Sequence, residues 1–190
     1  MANCASDLQE LDPSCAALKK KGGLKKRVWI GAFDTVRTLI DPSTGYIDSV
    51  SMSPSPEKLY KYIGKKLKHN GAFEGQVGEN TNVINQNLNL VLYAYTPTER
   101  EAIEKLFNSE EVVAFVETEA GQIEMWGYET GLTASALTGG SGTALNDSTA
   151  ITITLSGQQD TLPKVVLIED PSSSTADLNT TVTALDVLAA

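Results

Sequence analysis

Apolar and polar residues alternate with a period of two along much of this chain, and this limits the fold more than any other feature. Strict alternation suits a strand with one buried face and no other regular element. The clearest run is Asn85-Gln86-Asn87-Leu88-Asn89-Leu90-Val91-Leu92-Tyr93-Ala94-Tyr95, in which Leu88, Leu90 and Leu92 share a face. Ile151, Ile153 and Leu155 alternate within Ala150 to Leu155, which is expected to pair with Leu132 to Leu137 across Gly139-Gly140-Ser141-Gly142. Arg27 to Phe33 reads as a strand, and Tyr46 to Met52 as another after the Asp41-Pro42-Ser43-Thr44-Gly45 turn. Glu111 to Thr118 and Gln122 to Glu129 form a hairpin across Ala120-Gly121, and Leu162 to Ile168 is a last short strand.

One helix interrupts the pattern, over 96–108. Thr96-Pro97-Thr98-Glu99 fits a capping box with proline at the first helical position, and Ala102, Ile103, Leu106 and Phe107 form the apolar stripe behind it. At least six strands and one helix predict a mainly β fold, a β-sandwich or barrel with one short flanking helix, over 27–169. Pro13, Lys19-Lys20-Lys21 and Gly22-Gly23 make 1–26 an N-terminal arm. Residues 53–80, basic and punctuated by Gly64, Gly71, Gly75 and Gly78, predict an extended loop or hairpin reaching out of the core. Residues 170–190 are expected to be a Ser-rich linker and a mildly apolar tail that a neighbour orders.

The chemistry is defined by what is missing. No GxSxG, HExxH, CxxC, Walker or GxGxxG pattern occurs. The single histidine, His69, lies in a lysine-rich stretch and is expected at the solvated surface rather than as a base. Glu117, Glu119, Glu124 and Glu129 fall on adjacent strands, where paired acids could act on a glycoside, but exposed, solvent-facing positions are expected. Gly139 to Gly142 lacks the lysine and following helix of a phosphate loop. Cys4 and Cys15 are too few for a disulfide framework or a zinc site; ordinary thiols are the plainer reading, and a bond between them the other. Trp29 and Trp126 are expected in the core. The chain is therefore read as no enzyme, with no cofactor and no metal.

Charge is asymmetric. Residues 1–70 hold twelve Lys/Arg against seven Asp/Glu, and 71–190 hold three against seventeen. A solvated acidic face with a basic arm explains this, as does a basic segment of one copy lying on the acidic body of the next. An acidic body argues against tight duplex binding, which rests on neutralising phosphates. The cluster Lys19, Lys20, Lys21, Lys25, Lys26 and Arg27 reads as an intersubunit contact before a nucleic-acid patch, since no recognition helix follows. No apolar run reaches the roughly 20 residues of a bilayer span, and the polar, acidic start is unlike a secretory signal. Synthesis in a host cytoplasm without a membrane anchor is the expectation, with any exit inside a larger particle.

Three stretches resemble the tail tube (major tail) proteins of tailed bacteriophages and related tail and neck virion proteins, crAss-like phages among them. They are CASDLQELDPSCAALKKKGGLKKRVWIG, NLVLYAYTPTEREAIEKLFNSEEVVAFVETEAGQIEMWGYETGL and GTALNDSTAITITLSGQQDTLPKVV. Together they cover over half the chain, as patterns of style rather than invariant motifs. The resemblance implies a homo-oligomer: six-membered rings that stack through a long loop and terminal arms, with a β-lined lumen through which DNA passes without specific binding. It implies a place in the virion tail, contacts with other tail or neck proteins, and no catalytic residues. The loop would map to 53–80 and the arm to 1–26, so the expected assembly residues are Lys19, Lys20, Lys21, Lys25, Lys26, Arg27, Tyr60, Tyr62, Lys65 and Lys66. A neck, connector or hub ring of the same particle is the alternative, and a carbohydrate-binding β-sandwich module a more distant one.

Overall fold

The computed structural model describes residues 22–64, 68–78, 81–140, 150–168 and 178–190. Lys19, Lys20, Lys21, Lys65, Lys66, Cys4, Cys15 and most of the expected arm lie outside them. Eleven strands and two helices follow in the order β1 (Leu24–Ala32), β2 (Val36–Ile40), β3 (Ile47–Met52), β4 (Tyr60–Ile63), β5 (Asn70–Val77), β6 (Asn82–Leu92), α1 (Pro97–Phe107), β7 (Val112–Thr118), β8 (Ile123–Trp126), β9 (Thr133–Gly139), β10 (Ile151–Gln159), β11 (Lys164–Val166) and α2 (Leu178–Leu188).

The strands form a seven-stranded sheet, ordered β2-β3-β11-β8-β7-β1-β4, and a four-stranded sheet, ordered β5-β6-β10-β9. All neighbours are antiparallel except β11 and β3, which are parallel where Val166 meets Ile47. The mainly β sandwich read from the sequence is what the chain adopts. Two isolated bridges, Gly64 to Leu92 and Val112 to Leu132, join the sheets at opposite corners. Six strands therefore complete a circuit, β7-β1-β4-β6-β10-β9, around one core. Val28, Ile30, Leu88, Leu90, Leu92, Val116, Ile153 and Leu155 fill it, and Ile103 and Leu106 of α1 close one end. The capping box forms: Thr96 Oγ1 accepts from the Glu99 amide, while the Glu99 carboxylate accepts from the Thr96 and Tyr95 amides.

A second core lies on the outer face of the larger sheet. Trp29, Phe115, Met125 and Ile47 are covered there by Leu185 of α2, with Leu178, Val182 and Leu188 packed alongside. The end of the chain is thus a helix on its own domain, not a tail awaiting a neighbour. Residues 53–80 also differ from expectation. They supply β4 to one sheet and β5 to the other, and Leu59 is fully buried, its amide donating to the Leu188 carbonyl at 2.9 Å. Apolar side chains at Leu59, Tyr62 and Phe73 outweigh the glycines, which leave room for what crosses them. A Cβ on Gly71 would stand 2.6 Å from the Trp126 ring. Among the described residues no helix is long and apolar enough to cross a membrane.

Candidate assembly interface

The basic cluster is drawn inward. Lys25 Nζ lies 2.7 Å from Glu117 Oε1, and Arg27 donates to Oε2 at 2.8 and 3.2 Å. Glu117 is 1% exposed, so it is buried rather than solvent-facing. A carboxylate placed there requires paired cations, since an uncompensated buried charge is strongly unfavourable. Lys25 and Arg27 are thus committed within the chain, and Lys26 alone of the three makes no ion pair among the described residues.

Tyr60 is 54% exposed, whereas Tyr62 packs on the core and donates to the Ala102 carbonyl at 3.4 Å. Both line a groove of about 390 Å³ between β4 and α1. Burial raises the Tyr62 hydroxyl above its ordinary value, with a smaller push from Tyr60.

Of the other acidic candidates, Glu124 and Glu129 have hydrogen-bond partners, whereas Glu119 Oε1 is buried without one among the described residues. Glu124 is held above the usual carboxylate range by burial, against a hydrogen bond from Trp126 Nε1 at 3.2 Å. Glu129 accepts from the Asp160 amide at 2.7 Å. His69 is buried at 3% exposure, contrary to the surface position expected. Among the described residues no group of three or more His, Cys, Asp or Glu could hold a metal ion.

The four-stranded sheet offers a different surface. Leu88, Leu90 and Leu92 point inward, so Asn85, Asn87 and Asn89 point outward, directly opposite Gln158, Ser156 and Thr154 of β10. Thr154 Oγ1 donates to Asn89 Oδ1 at 2.7 Å, and Asn85 Nδ2 to Gln76 Oε1 of β5 at 3.2 Å. Glu74, opposite Asn85, is the one charge on these rows of β5, β6 and β10. In a chain of net charge −9, this face is built of amides and hydroxyls.

Among the described residues neither outer strand of that sheet, β5 or β9, pairs with a further strand along its length; β9 meets the other sheet only through Leu132, just before its start. Seven of eight β5 residues are exposed, and six of seven in β9. Phe73 at 53% and Val77 at 86% stand on the core-side face of β5, since their partners Gln86 and Asn82 fall on the same side as Leu88. Leu137 at 38% does so on β9, opposite the buried Ile153. Phe73, Val77 and Leu137 are thus exposed apolar side chains on the core side of the two outermost strands of this sheet. The signal existed in the sequence: Gly71, Phe73, Gly75 and Val77 alternate with Ala72, Glu74 and Gln76. The glycines hid it. No protein-family model, curated protein or solved structure matches the chain.

Proposed function

We propose that this protein is a virion structural subunit that builds the tail tube of a tailed bacteriophage, by continuing its four-stranded sheet into neighbouring copies. The observation that carries the reading is the pair of open edges, β5 and β9, each with apolar residues on its core side.

Geometry supports a head-to-tail junction. The four strands alternate in direction, so β5 and β9 of one copy run oppositely. A copy placed beside the first by rotation about a ring axis brings its β9 antiparallel to the first copy's β5. Phe73 and Val77 then meet Leu137 beneath the junction, and each edge gains a partner. A heterologous contact of this kind closes into a ring when the rotation closes, and six copies is the number the resemblance implies.

The outward rows of Asn, Gln, Ser and Thr would line the lumen. They offer no Lys or Arg to phosphates, so DNA gains no electrostatic grip and slides. The lining is mainly uncharged and polar, with Glu74 its one charge in each copy. The lysines expected to bridge copies play a smaller part than the edges, because Lys25 and Arg27 already neutralise Glu117.

Negative-stain electron microscopy of the purified chain tests this. Tubes are expected; single rings point to a neck or hub position, and dispersed monomers at high concentration overturn the reading. Val77→Lys places a charge at an open edge and is expected to leave a folded monomer that forms neither tubes nor rings.

A further inference from the structure

The two corners at which the sheets meet are built differently. At one, Val112 and Leu132 exchange two backbone hydrogen bonds, of 2.9 and 2.7 Å. At the other, where Gly64 and Leu92 form the backbone bridge, a buried side chain also spans the seam. The amide of Val91 on β6 donates to His69 Nδ1 at 3.0 Å, and His69 Nε2 faces the Lys26 carbonyl of β1 at 3.3 Å. That carbonyl also accepts from the Gly64 amide at 2.8 Å. A Cβ at Gly64 would collide with the imidazole and with the Val91 carbonyl, so the ring occupies the space of the missing side chain. His69 therefore touches β1, the end of β4 and β6 at once.

We propose that His69 is an acid-sensitive latch on this corner, whose protonation parts β6 from β1 and β4 there while the opposite corner stays closed. The inference stands apart from the tail tube reading and rests on the seam alone. In the latched state the ring is neutral: Nδ1 is the acceptor for Val91, so the proton is on Nε2, directed at the Lys26 carbonyl. Adding a proton puts an N–H on Nδ1, facing the N–H of Val91. Two donors then oppose each other in a buried site, and the imidazolium has lost its bond to β6.

Among the described residues no carboxylate is hydrogen-bonded to the ring, and Glu119 of the loop after β7 lies in the recess lined by Lys26. On β1 the nearby charges are Lys25, Lys26 and Arg27, and Lys68 precedes the ring in sequence. From the end of β4 comes Gly64, and Lys61 further along that strand is paired with Asp186. β6 presents Val91 and Leu92, and β5 begins with Asn70; none of these ionises. Glu117 of β7 is held by Lys25 and Arg27. Burial accordingly keeps the His69 ring below its ordinary value of 6.5, against the raising effect of the Lys26 carbonyl. An opened corner lets the ring titrate near 6.5, so the latch holds fully above that pH and weakens as pH falls below it.

Amide hydrogen exchange by NMR on the full chain, corrected for intrinsic rates, reads the latch directly. Protection of Val91 and Gly64 is expected to fall by about tenfold per pH unit below about pH 6.5, until the folded ring itself titrates. Val112 and Leu132 at the other corner are expected to keep theirs. His69→Asn retains an acceptor near the Nδ1 position without a titrating group, and is expected to remove the pH dependence at Val91. Constant Val91 protection between about pH 7 and about pH 5 overturns the proposal. So does an equal fall at both corners, which is global acid unfolding, or an unchanged pH dependence in His69→Asn. The comparison of the two corners in the wild-type chain decides the matter even where the variant does not fold.

Discussion

The indole N–H of Trp29 donates to the Asp186 carboxylate at 2.8 Å, tying β1 to α2 near the other end of the chain. Lys61 of β4 reaches the same oxygen at 2.7 Å, and both Lys61 and Arg27 lie 5.7 Å from the centre of the Trp29 ring. The fully buried indole thus keeps its hydrogen bond only while α2 is docked. Asp186→Ala strands that N–H and is expected to cost about 1–3 kcal/mol, read as a lower urea midpoint with little change in slope. Asp186→Asn keeps an acceptor and should lose less. Equal stability of Asp186→Ala and wild type would show that α2 is held by its apolar stripe alone.

The same clasp has an acid limit. Burial raises the Asp186 carboxyl, but hydrogen bonds from Lys61 and Trp29, with the charges of Lys61 and Arg27, bring it below its ordinary value of 3.8. A carboxyl depressed in the folded state contributes stability that is present above the unfolded value and lost as pH falls through the folded one. Unfolding midpoints should therefore decline below about pH 4 more steeply in wild type than in Asp186→Asn, which has no charge to lose there.

Helix α1 closes the barrel end with two side chains, and its start is fixed by one. Thr96→Ala removes the acceptor for the Glu99 amide and should lower stability by about 1 kcal/mol. Leu106→Ala empties a buried position and should cost about 2–5 kcal/mol. Phe107→Ala, one residue on, changes a side chain that is 37% exposed and should cost distinctly less. Thermal unfolding of the three variants gives the ranking, and a reversal of the last two would place the wrong face of α1 against the core.

Where a segment's own residues decide its structure, the sequence was readable. β6 and α1 follow from a leucine every second position and from a Thr-x-x-Glu box, both local signals. β4 and β5 were read as a protruding loop because Gly64, Gly71 and Gly75 break local propensity. Gly71 admits the Trp126 ring, which is distant in sequence, and Gly64 admits His69 of the same segment, a contact that only the folded seam creates. The sequence Leu178-Asn179-Thr180-Thr181-Val182-Thr183 is rich in β-branched residues and poor helix material. Its helix follows from the stripe of Leu178, Val182, Leu185 and Leu188 meeting a sheet face that only the folded strands create. The open edges of the four-stranded sheet were legible only as a general tendency, since which strand ends up last depends on the pairing order. The buried Glu117 had no local signature, because its two cations lie ninety positions or more away.

That distance makes Glu117 the sharpest test of how the basic cluster is used. Its carboxylate has a side-chain exposure of 2%, while Lys25 and Arg27 retain 32% and 30%, so water partly screens the cations but not the acid. Removing the acid leaves two solvated cations; removing a cation leaves a buried charge with one partner. Arg27→Ala is therefore expected to destabilise the fold by about 1–3 kcal/mol, the range for an under-satisfied buried polar group, and Lys25→Ala by less, since Arg27 supplies two of the three hydrogen bonds. In a double-mutant cycle with Glu117→Gln, the Arg27 penalty should shrink once the acid is neutral, giving a coupling of about 0.5–3 kcal/mol in chemical denaturation. If Lys25 and Arg27 instead bridged copies of the chain, Arg27→Ala would leave monomer stability unchanged and weaken assembly alone. The two readings predict opposite results in a single pair of measurements, unfolding of the monomer and particle counts by microscopy.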